Sequence, residues 1–310
     1  MAVKNIALYF LCSLLGAGFI FSGYTKLYPI EPFEYTFVDI GIGNWKTSPF
    51  IARLLIGLEF LIGFLLLFSV NLRKIGYRLG ISTLVLFCIY LILLIFFSGN
   101  KGNCGCFGSY IQMTPLQALL KNIIMLALFI ILYKYHNGWA LQRKIRLLII
   151  LPVASAFALP FILNPVILDY SEVYLNKPAD NYKLPLDSLY NYATLNVPPK
   201  TLSQNKHILV FMSLTCPHCE RAANKIRIMH ERNPYIPFYF VLNGVEKDLK
   251  PFFENTHTED IPHCMLLGRN FVYLAGLNLP VIYLVNNSMI EHDVNYFILD
   301  QAEIEKWLAK

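Results

Sequence analysis

Five stretches of the chain, residues 5–23, 50–70, 76–97, 116–135 and 147–168, are almost wholly apolar. Each is close to the roughly 20 residues that a helix needs to cross a ~30 Å hydrocarbon core. Lipid offers a backbone no hydrogen-bond partners, so such runs must fold as membrane-spanning helices that satisfy their own. Composition agrees: of 310 residues 56% are hydrophobic and 15% charged, and the mean hydropathy of +0.48 is too high for an ordinary soluble enzyme. The first run resembles a secretory signal, with Lys4 ahead of an apolar stretch and the small residues Gly16, Ala17 and Gly18. Phe19-Ile20-Phe21 continues it where a cleavage site should lie, so it is expected to remain as a helix. Beyond Asp169 no such run exists, and the sequence is richer in Asn, Lys, Glu, Asp and Pro. That remainder is long enough to bury a core of its own.

Topology follows from lysine and arginine in the short loops, which stay on the cytoplasmic side. Arg73, Lys74 and Arg78 follow the second run, and Lys134, Arg143, Lys144 and Arg146 follow the fourth. Both loops are expected inside; residues 24–49, with Lys26 and Lys46, and residues 98–115, with Lys101, are expected outside. Five crossings put everything after Asp169 outside as well. The net charge of +6 is largely this topological charge and gives no reason to expect nucleic acid.

Two cysteine pairs are thereby predicted to face one oxidising compartment, in which disulfides persist. Cys216-Pro217-His218-Cys219 comes soon after the apolar strand 207–212 and directly before the helical pattern 220–232. A second strand is expected at 236–242, a polar helix at 245–255, a hairpin from Val281 through the turn Asn286-Asn287-Ser288, and a closing helix capped by Asp300. A structural disulfide or a zinc half-site are the alternatives for this pair. The outside location argues against them, as does the lack of a second CxxC or a histidine pair nearby, and no metal is expected.

The order of elements, with Cys216, Pro217, His218, Cys219 and Pro280, resembles the thioredoxin fold over roughly the last third of the chain. The resemblance implies that Cys216 is a nucleophile at a helix N-terminus, where dipole and free N–H groups favour a thiolate, and that Cys219 is the resolving thiol. Pro-His between the cysteines is similar to the pairing of periplasmic DsbA-type oxidants, with His218 a further donor beside the thiolate. Leu279-Pro280 stands where the family places its cis-proline, which leaves the Leu279 backbone free to pair with a substrate strand. Thr215 stands in place of the family's usual aromatic, and Val210 in place of its buried acid, so proton delivery to Cys219 is unassigned.

The other pair, Cys104-Gly105-Cys106, lies between the third and fourth runs. A disulfide across one intervening residue is strained and therefore readily reduced. Gly102, Gly105 and Gly108 give the backbone freedom to accommodate it, while free thiols or metal ligands are the alternative. Phe21-Ser22-Gly23-Tyr24-Thr25-Lys26-Leu27, Arg53 with Glu59, and Cys104-Gly105-Cys106-Phe107-Gly108 resemble the DoxX and MauE group of small helical membrane proteins, over about 140 residues. That resemblance implies a four-helix bundle linked to quinone-coupled or thiol-maturation chemistry. The arrangement is similar in logic, though not in fold, to vitamin K epoxide reductase fused to a thioredoxin partner. Glu59 lies mid-membrane, where an acid is costly. It is read either as a proton carrier for a bound quinone, with Arg53 and Lys26, or as half of a structural ion pair with one of those two. Cys12 and Cys88 are read as packing residues, and Cys264 as a buried thiol.

The expected fold is thus a multi-pass α-helical membrane bundle of about five helices plus an α/β thioredoxin-like domain. Its divisions are a four-helix domain at 1–136, a loop and fifth helix at 137–168, an extracytoplasmic linker at 169–204, and the thioredoxin-like domain at 205–310. The linker, with Pro178, Pro185, Pro198 and Pro199, would tether one dithiol near the other at an effective concentration on the order of millimolar. The expected location is a bacterial inner membrane, with the thioredoxin-like domain and the CGC loop facing the periplasm. The expected function is thiol:disulfide exchange with exported thiol-containing proteins, Cys104 and Cys106 reoxidising or re-reducing the CPHC pair and a membrane quinone as the sink in the oxidising direction. Two alternatives stay open. One is an outward electron conduit like CcdA and DsbD, whose cysteine pair, unlike this one, lies inside the membrane; the other is a dedicated MauE-like maturation factor for one disulfide-rich partner.

Overall fold

A computed structural model describes residues 2–98, 100, 107, 113–139, 147–166 and 182–310. The chain divides into two compact units, Met1–Val166 and Ile167–Lys310. Cys104 and Cys106 lie outside the described residues.

In the first unit the stretches Ile6–Leu27, Ser48–Leu67, Leu72–Phe96 and Pro115–Tyr135 are long and apolar enough to cross a membrane. They fall within helices α1 (Ala2–Leu27), α3 (Ser48–Leu67), α4 (Tyr77–Ser98) with the π-turn Leu72–Gly76 before it, and α5 (Pro115–Tyr135). Their outer faces, including Leu54, Ile89, Leu93 and Ile124, are exposed, as suits a multi-pass membrane protein whose solvent there is lipid. Helix α5 starts at a capping box, Thr114 accepting from the Gln117 N–H and the Gln117 side chain accepting from the Thr114 N–H, with Pro115 in the first turn. Helices α1 and α3 cross where glycine is required. A Cβ on Gly63 would lie 2.6 Å from Ile20 and 2.8 Å from the Gly16 carbonyl oxygen. Small residues at such a crossing let backbones approach and gain dispersion contacts, which drives association where lipid is as apolar as leucine.

Two elements depart from the expected layout. Residues 24–49 hold a helix, α2 (Glu31–Asp39), which buries Phe33 and Phe37 against Leu27, Ala52 and Ile56. The fifth helix, α6 (Leu147–Leu163), has 17 residues and not the 22 of the run 147–168. At 1.5 Å per residue it is ~26 Å long, short of the ~30 Å core, and Pro152 and Pro160 lie within it. It packs on α3 at Gly57, where a Cβ would lie 2.7 Å from Phe157.

The second unit is built on a five-stranded sheet, ordered β3-β2-β1-β4-β5. The strands are β1 (Lys206–Ser213), β2 (Phe238–Asn243), β3 (His263–Met265), β4 (Val281–Asn286) and β5 (Met289–Val294). The first three are parallel, and β4 and β5 run antiparallel. Helix α8 (Pro217–Arg232) makes the crossover from β1 to β2 and buries Cys219, Ala222, Ala223, Ile226 and Met229, the i, i+3, i+4, i+7 stripe of a helix lying on a sheet. The β4–β5 turn has Asn287 at φ 49° and Ser288 at φ 66°, the left-handed pair of a two-residue hairpin. Helix α11 (Gln301–Leu308) is capped by Asp300, whose carboxylate accepts from the Ala302 and Glu303 N–H groups. This is a thioredoxin-like fold.

The stretch expected as linker is, from Lys183 onward, part of this unit. Lys183 bridges to Met289 and Thr194 to Met265, so the segment runs from one edge of the sheet to the other. On the way it forms α7 (Asp187–Tyr192) and inserts Leu184, Leu186, Leu189 and Leu202 among Leu209, Phe211 and Tyr283. Burying a leucine contributes roughly 1.5–3 kcal/mol, enough to outweigh the entropy of ordering a short segment. The same face is covered by α10 (Gly268–Ala275), through Phe271 and Leu274. Helix α9 (Leu249–Thr256) occupies the polar helical stretch expected at 245–255.

Candidate redox site

Cys216 is the N-cap of α8, in extended conformation, and Pro217 begins the helix with the fixed φ that its first turn needs. The Cys216 carbonyl accepts from the N–H groups of Cys219 (3.0 Å) and Glu220 (3.1 Å), and the Cys216 N–H donates to Ser213 (3.2 Å). This turn follows β1 directly. Cys216 is half-buried, whereas Cys219, one turn into the helix, is fully buried. Its thiol accepts from the Ser213 N–H at 3.4 Å and is hydrogen-bonded to Cys216. Burial pushes the Cys219 thiol far above the usual range, with the Cys216 contact adding to the rise and the Ser213 N–H opposing it. The two sulfurs therefore differ in the way exchange requires: one is reachable, and the other is hidden and holds its proton.

Leu279-Pro280 is cis, immediately before β4. Val281 pairs with Phe211 in the antiparallel register, which puts Pro280 level with Met212 at the end of β1 from which the CPHC turn emerges.

His218 is tied down from behind. Its Nδ1 lies 2.9 Å from the Tyr296 hydroxyl, and Tyr296 is 1% exposed. Lys225, on the same helix and 4% exposed, donates to the carbonyls of Tyr296 (2.9 Å) and Phe297 (3.0 Å). A buried ammonium needs such partners, and here they fasten α8 to the segment between β5 and α11. Glu220, next to Cys219, has its carboxyl pushed up by burial, with a hydrogen bond to Asn255 of α9 and the charge of Arg221 opposing. With the fully buried Val210 on the strand beneath, Glu220 is the acid adjoining the resolving thiol in sequence. Neither Tyr296 nor Lys225 stood out in the sequence, because both act through contacts some 70 positions away. A carboxylate adjoining a CxxC pair was the available signal for Glu220.

Cys264 lies on β3 within the core; burial pushes its thiol up to about 11, and the Tyr239 hydroxyl opposes. In the first unit Cys12 is buried, with its sulfur 3.4 Å from the Leu66 carbonyl.

The three membrane residues expected to act together separate into two groups. Lys26 and Glu59, each 2% exposed, pair at 2.9 and 3.0 Å, and the Ser22 hydroxyl donates to Glu59 at 3.2 Å. Arg53 is not part of this set. It pairs with Glu34 of α2 at 2.6 Å and donates to the carbonyls of Pro49 and Asn164.

Residues 4–135 match the family described as methylamine utilisation protein MauE. Over 287 residues the chain is 28% identical to Protein TlpB of Flavobacterium psychrophilum, covering 78% of each chain. Among solved structures, a secreted Mycobacterium tuberculosis disulfide oxidoreductase homologous to E. coli DsbE is similar at 18% identity, with a TM-score of 0.31 over 40% of this chain and 97% of that one. DsbF of the same organism, in mixed oxidised and reduced forms, is similar at 14% identity, with a TM-score of 0.32 over 39% of this chain and 96% of that one.

Proposed function

We propose that this chain is a membrane-bound thiol:disulfide oxidoreductase that exchanges disulfides with exported proteins at Cys216 and Cys219. The observation that carries the reading is the asymmetry of the pair, a reachable sulfur at a helix N-terminus beside a buried one one turn further on. In the oxidising direction a client thiolate attacks the Cys216 sulfur of the Cys216–Cys219 disulfide, that bond breaks, and Cys219 leaves. Glu220, whose carboxyl burial helps to keep its proton, supplies that proton to Cys219. A second client thiolate then attacks the client sulfur of the mixed disulfide and releases Cys216. Two electrons and two protons pass from client to CPHC. His218, held by Tyr296, orients a donor beside Cys216, and Pro280 flanks the client strand.

In this proposal Cys104 and Cys106 cycle between disulfide and dithiol. Their disulfide takes two electrons from the CPHC dithiol, and the resulting loop dithiol reduces a membrane quinone to the quinol with two protons. In this reading both dithiols face the periplasm of a bacterial inner membrane, which requires α6, ~26 Å long, to make the fifth crossing with local thinning of the bilayer. Support comes from the charged loops around Arg73 and Lys134 and from the likeness of residues 4–135 to MauE. That likeness also favours a second reading, in which the same chemistry serves one disulfide-rich partner.

The Cys219→Ser variant tests the reaction, because exchange then stalls as a mixed disulfide on Cys216. Bands that vanish on reduction are expected from non-reducing gels of whole membranes. Many bands favour a general enzyme and a single band the dedicated factor, while their absence removes the reading. Coupling is tested by alkylating CPHC in intact membranes of a Cys104→Ser, Cys106→Ser variant. Reduced CPHC should accumulate; accumulation of disulfide would reverse the electron flow, and no change would uncouple the pairs.

A further inference from the structure

The first unit encloses a cavity of about 540 Å³ between α1, α2, α3, α4 and α5, within the roughly 300–1,000 Å³ typical of small-molecule sites. Its wall is almost entirely aliphatic and aromatic, including Phe21, Phe37 and Phe87. Polar groups are few. Lys26 and Glu59 line it and neutralise each other, and Lys121 lines it as well, its ammonium 4.2 Å from the centre of the Phe107 ring. Asn122 of α5 also lines it, is 2% exposed, and has a side-chain amide nitrogen with no hydrogen-bond partner among the described residues. A buried donor left unpaired costs roughly 1–3 kcal/mol, so a structure that keeps one calls for a missing acceptor. Leu54 of α3 and Leu86 of α4 line the cavity and are also exposed on helices long and apolar enough to cross a membrane, which opens the space sideways to the bilayer.

We infer that this cavity is a binding site for a membrane quinone, with one ring carbonyl accepting from the Asn122 amide and the other end of the ring toward Ser22, Lys26 and Glu59. Each feature selects for that class. The apolar wall requires a ligand that is mostly hydrocarbon, and the lateral opening requires one that travels in lipid. Phenylalanine faces suit a flat ring, and an orphan N–H needs a carbonyl oxygen. Arg53, engaged with Glu34 and two carbonyls, has no part in the site. The inference rests on the proposed redox reading for its choice of a redox-active ligand, but the site is defined by the bundle alone.

The test uses the full chain in nanodiscs, labelled with a short-tailed azidoquinone and mapped by peptide mass spectrometry. Labelling is expected on α1, α3 and α5 around the cavity and should be competed by unlabelled quinone but not by excess phospholipid. Asn122→Leu should weaken labelling about tenfold, the loss of one hydrogen bond, and Asn122→Ser should restore part of it. Gly18→Leu offers a check less exposed to misfolding: Gly18 lines the cavity and a Cβ there meets nothing within 4 Å, so a larger side chain should displace the probe without a clash. Labelling elsewhere, competition by phospholipid equal to that by quinone, or indifference to both Asn122→Leu and Gly18→Leu would overturn the site. The Cys216→Ser chain separates the two claims. Labelling should persist in it, so a labelled cavity with no client exchange in the unmodified chain condemns the redox reading alone, whereas client exchange with an unlabelled cavity condemns the site alone.

Discussion

Lys26 and Lys225 are both all but removed from solvent, at 2% and 4% exposed, yet a carboxylate pairs with the first and two backbone carbonyls hold the second. In the membrane unit the ammonium meets a carboxylate, Glu59, with a serine hydroxyl beside it. In the thioredoxin-like unit the ammonium meets two neutral carbonyls, those of Tyr296 and Phe297. The difference follows from what each surrounding can supply. A charge on α1 that lies within the membrane is costly, and the carboxylate on α3 offsets it, with the Ser22 carbonyl a further acceptor at 3.4 Å. The segment between β5 and α11 is neither strand nor helix, and its carbonyls are available to a donor from α8. Lys26 is thus one half of a charge pair, and Lys225 is a clamp that sets where Tyr296 stands behind His218.

Removing one partner from each lysine should separate these roles. Glu59→Gln leaves a buried ammonium without its counter-charge, and breaking a buried pair from one side costs about 3–5 kcal/mol. A large fall in the unfolding temperature in detergent is expected, and the double variant Lys26→Met, Glu59→Leu should recover most of it, since an apolar pair of similar volume has no charge to compensate. If Glu59→Gln were tolerated and the double variant were the worse of the two, the membrane lysine would be no more than another clamp. Lys225→Met removes the donor to the Tyr296 and Phe297 carbonyls, a loss of about 1–3 kcal/mol. It should lower stability less than Glu59→Gln and shift the CPHC reduction potential, because the Tyr296 segment is then no longer held beneath His218. A potential equal to that of the unmodified chain would show that the clamp does not reach the redox site.

The parts legible in the sequence were those set by neighbours in the chain. The CPHC turn, the Asn287-Ser288 hairpin and the Asp300 cap each depend on residues within a few positions, and each stands where turn and capping chemistry put it. What escaped depended on distance. Leu184, Leu186, Leu189 and Leu202 are too widely spaced to announce a core, and become one only when the segment crosses the sheet. Arg53 and Lys26 both stood as possible ion-pair partners of Glu59, and the spacing held a clue to the choice: six residues along a helix is a rotation of about 240°, so Arg53 and Glu59 point to different faces of α3, and Lys26 is the partner. Arg53 pairs with Glu34, on a helix that the sequence had not revealed. Asn122 has no sequence signature at all, since what distinguishes it is an amide nitrogen with no hydrogen-bond partner among the described residues, in a cavity made by five helices.

The smallest expected effect concerns Glu220, and it turns on sign. Burial raises its carboxyl above the ordinary 4.5, so the folded chain holds this proton more tightly than the unfolded one. Protonation therefore favours the fold: the stability it brings is fully present below pH 4.5 and is lost as pH rises through the raised value. Glu220→Gln mimics the protonated form at every pH, so the variant should match the unmodified chain in acid and become slightly the more stable of the two above that window. Urea unfolding across the range would show the curves separating. The same variant carries no proton to give, so client exchange should slow while stability at neutral pH holds or rises. Should exchange and stability fall together, Glu220 would be a structural partner of Asn255, and the proton of Cys219 would have to come from solvent.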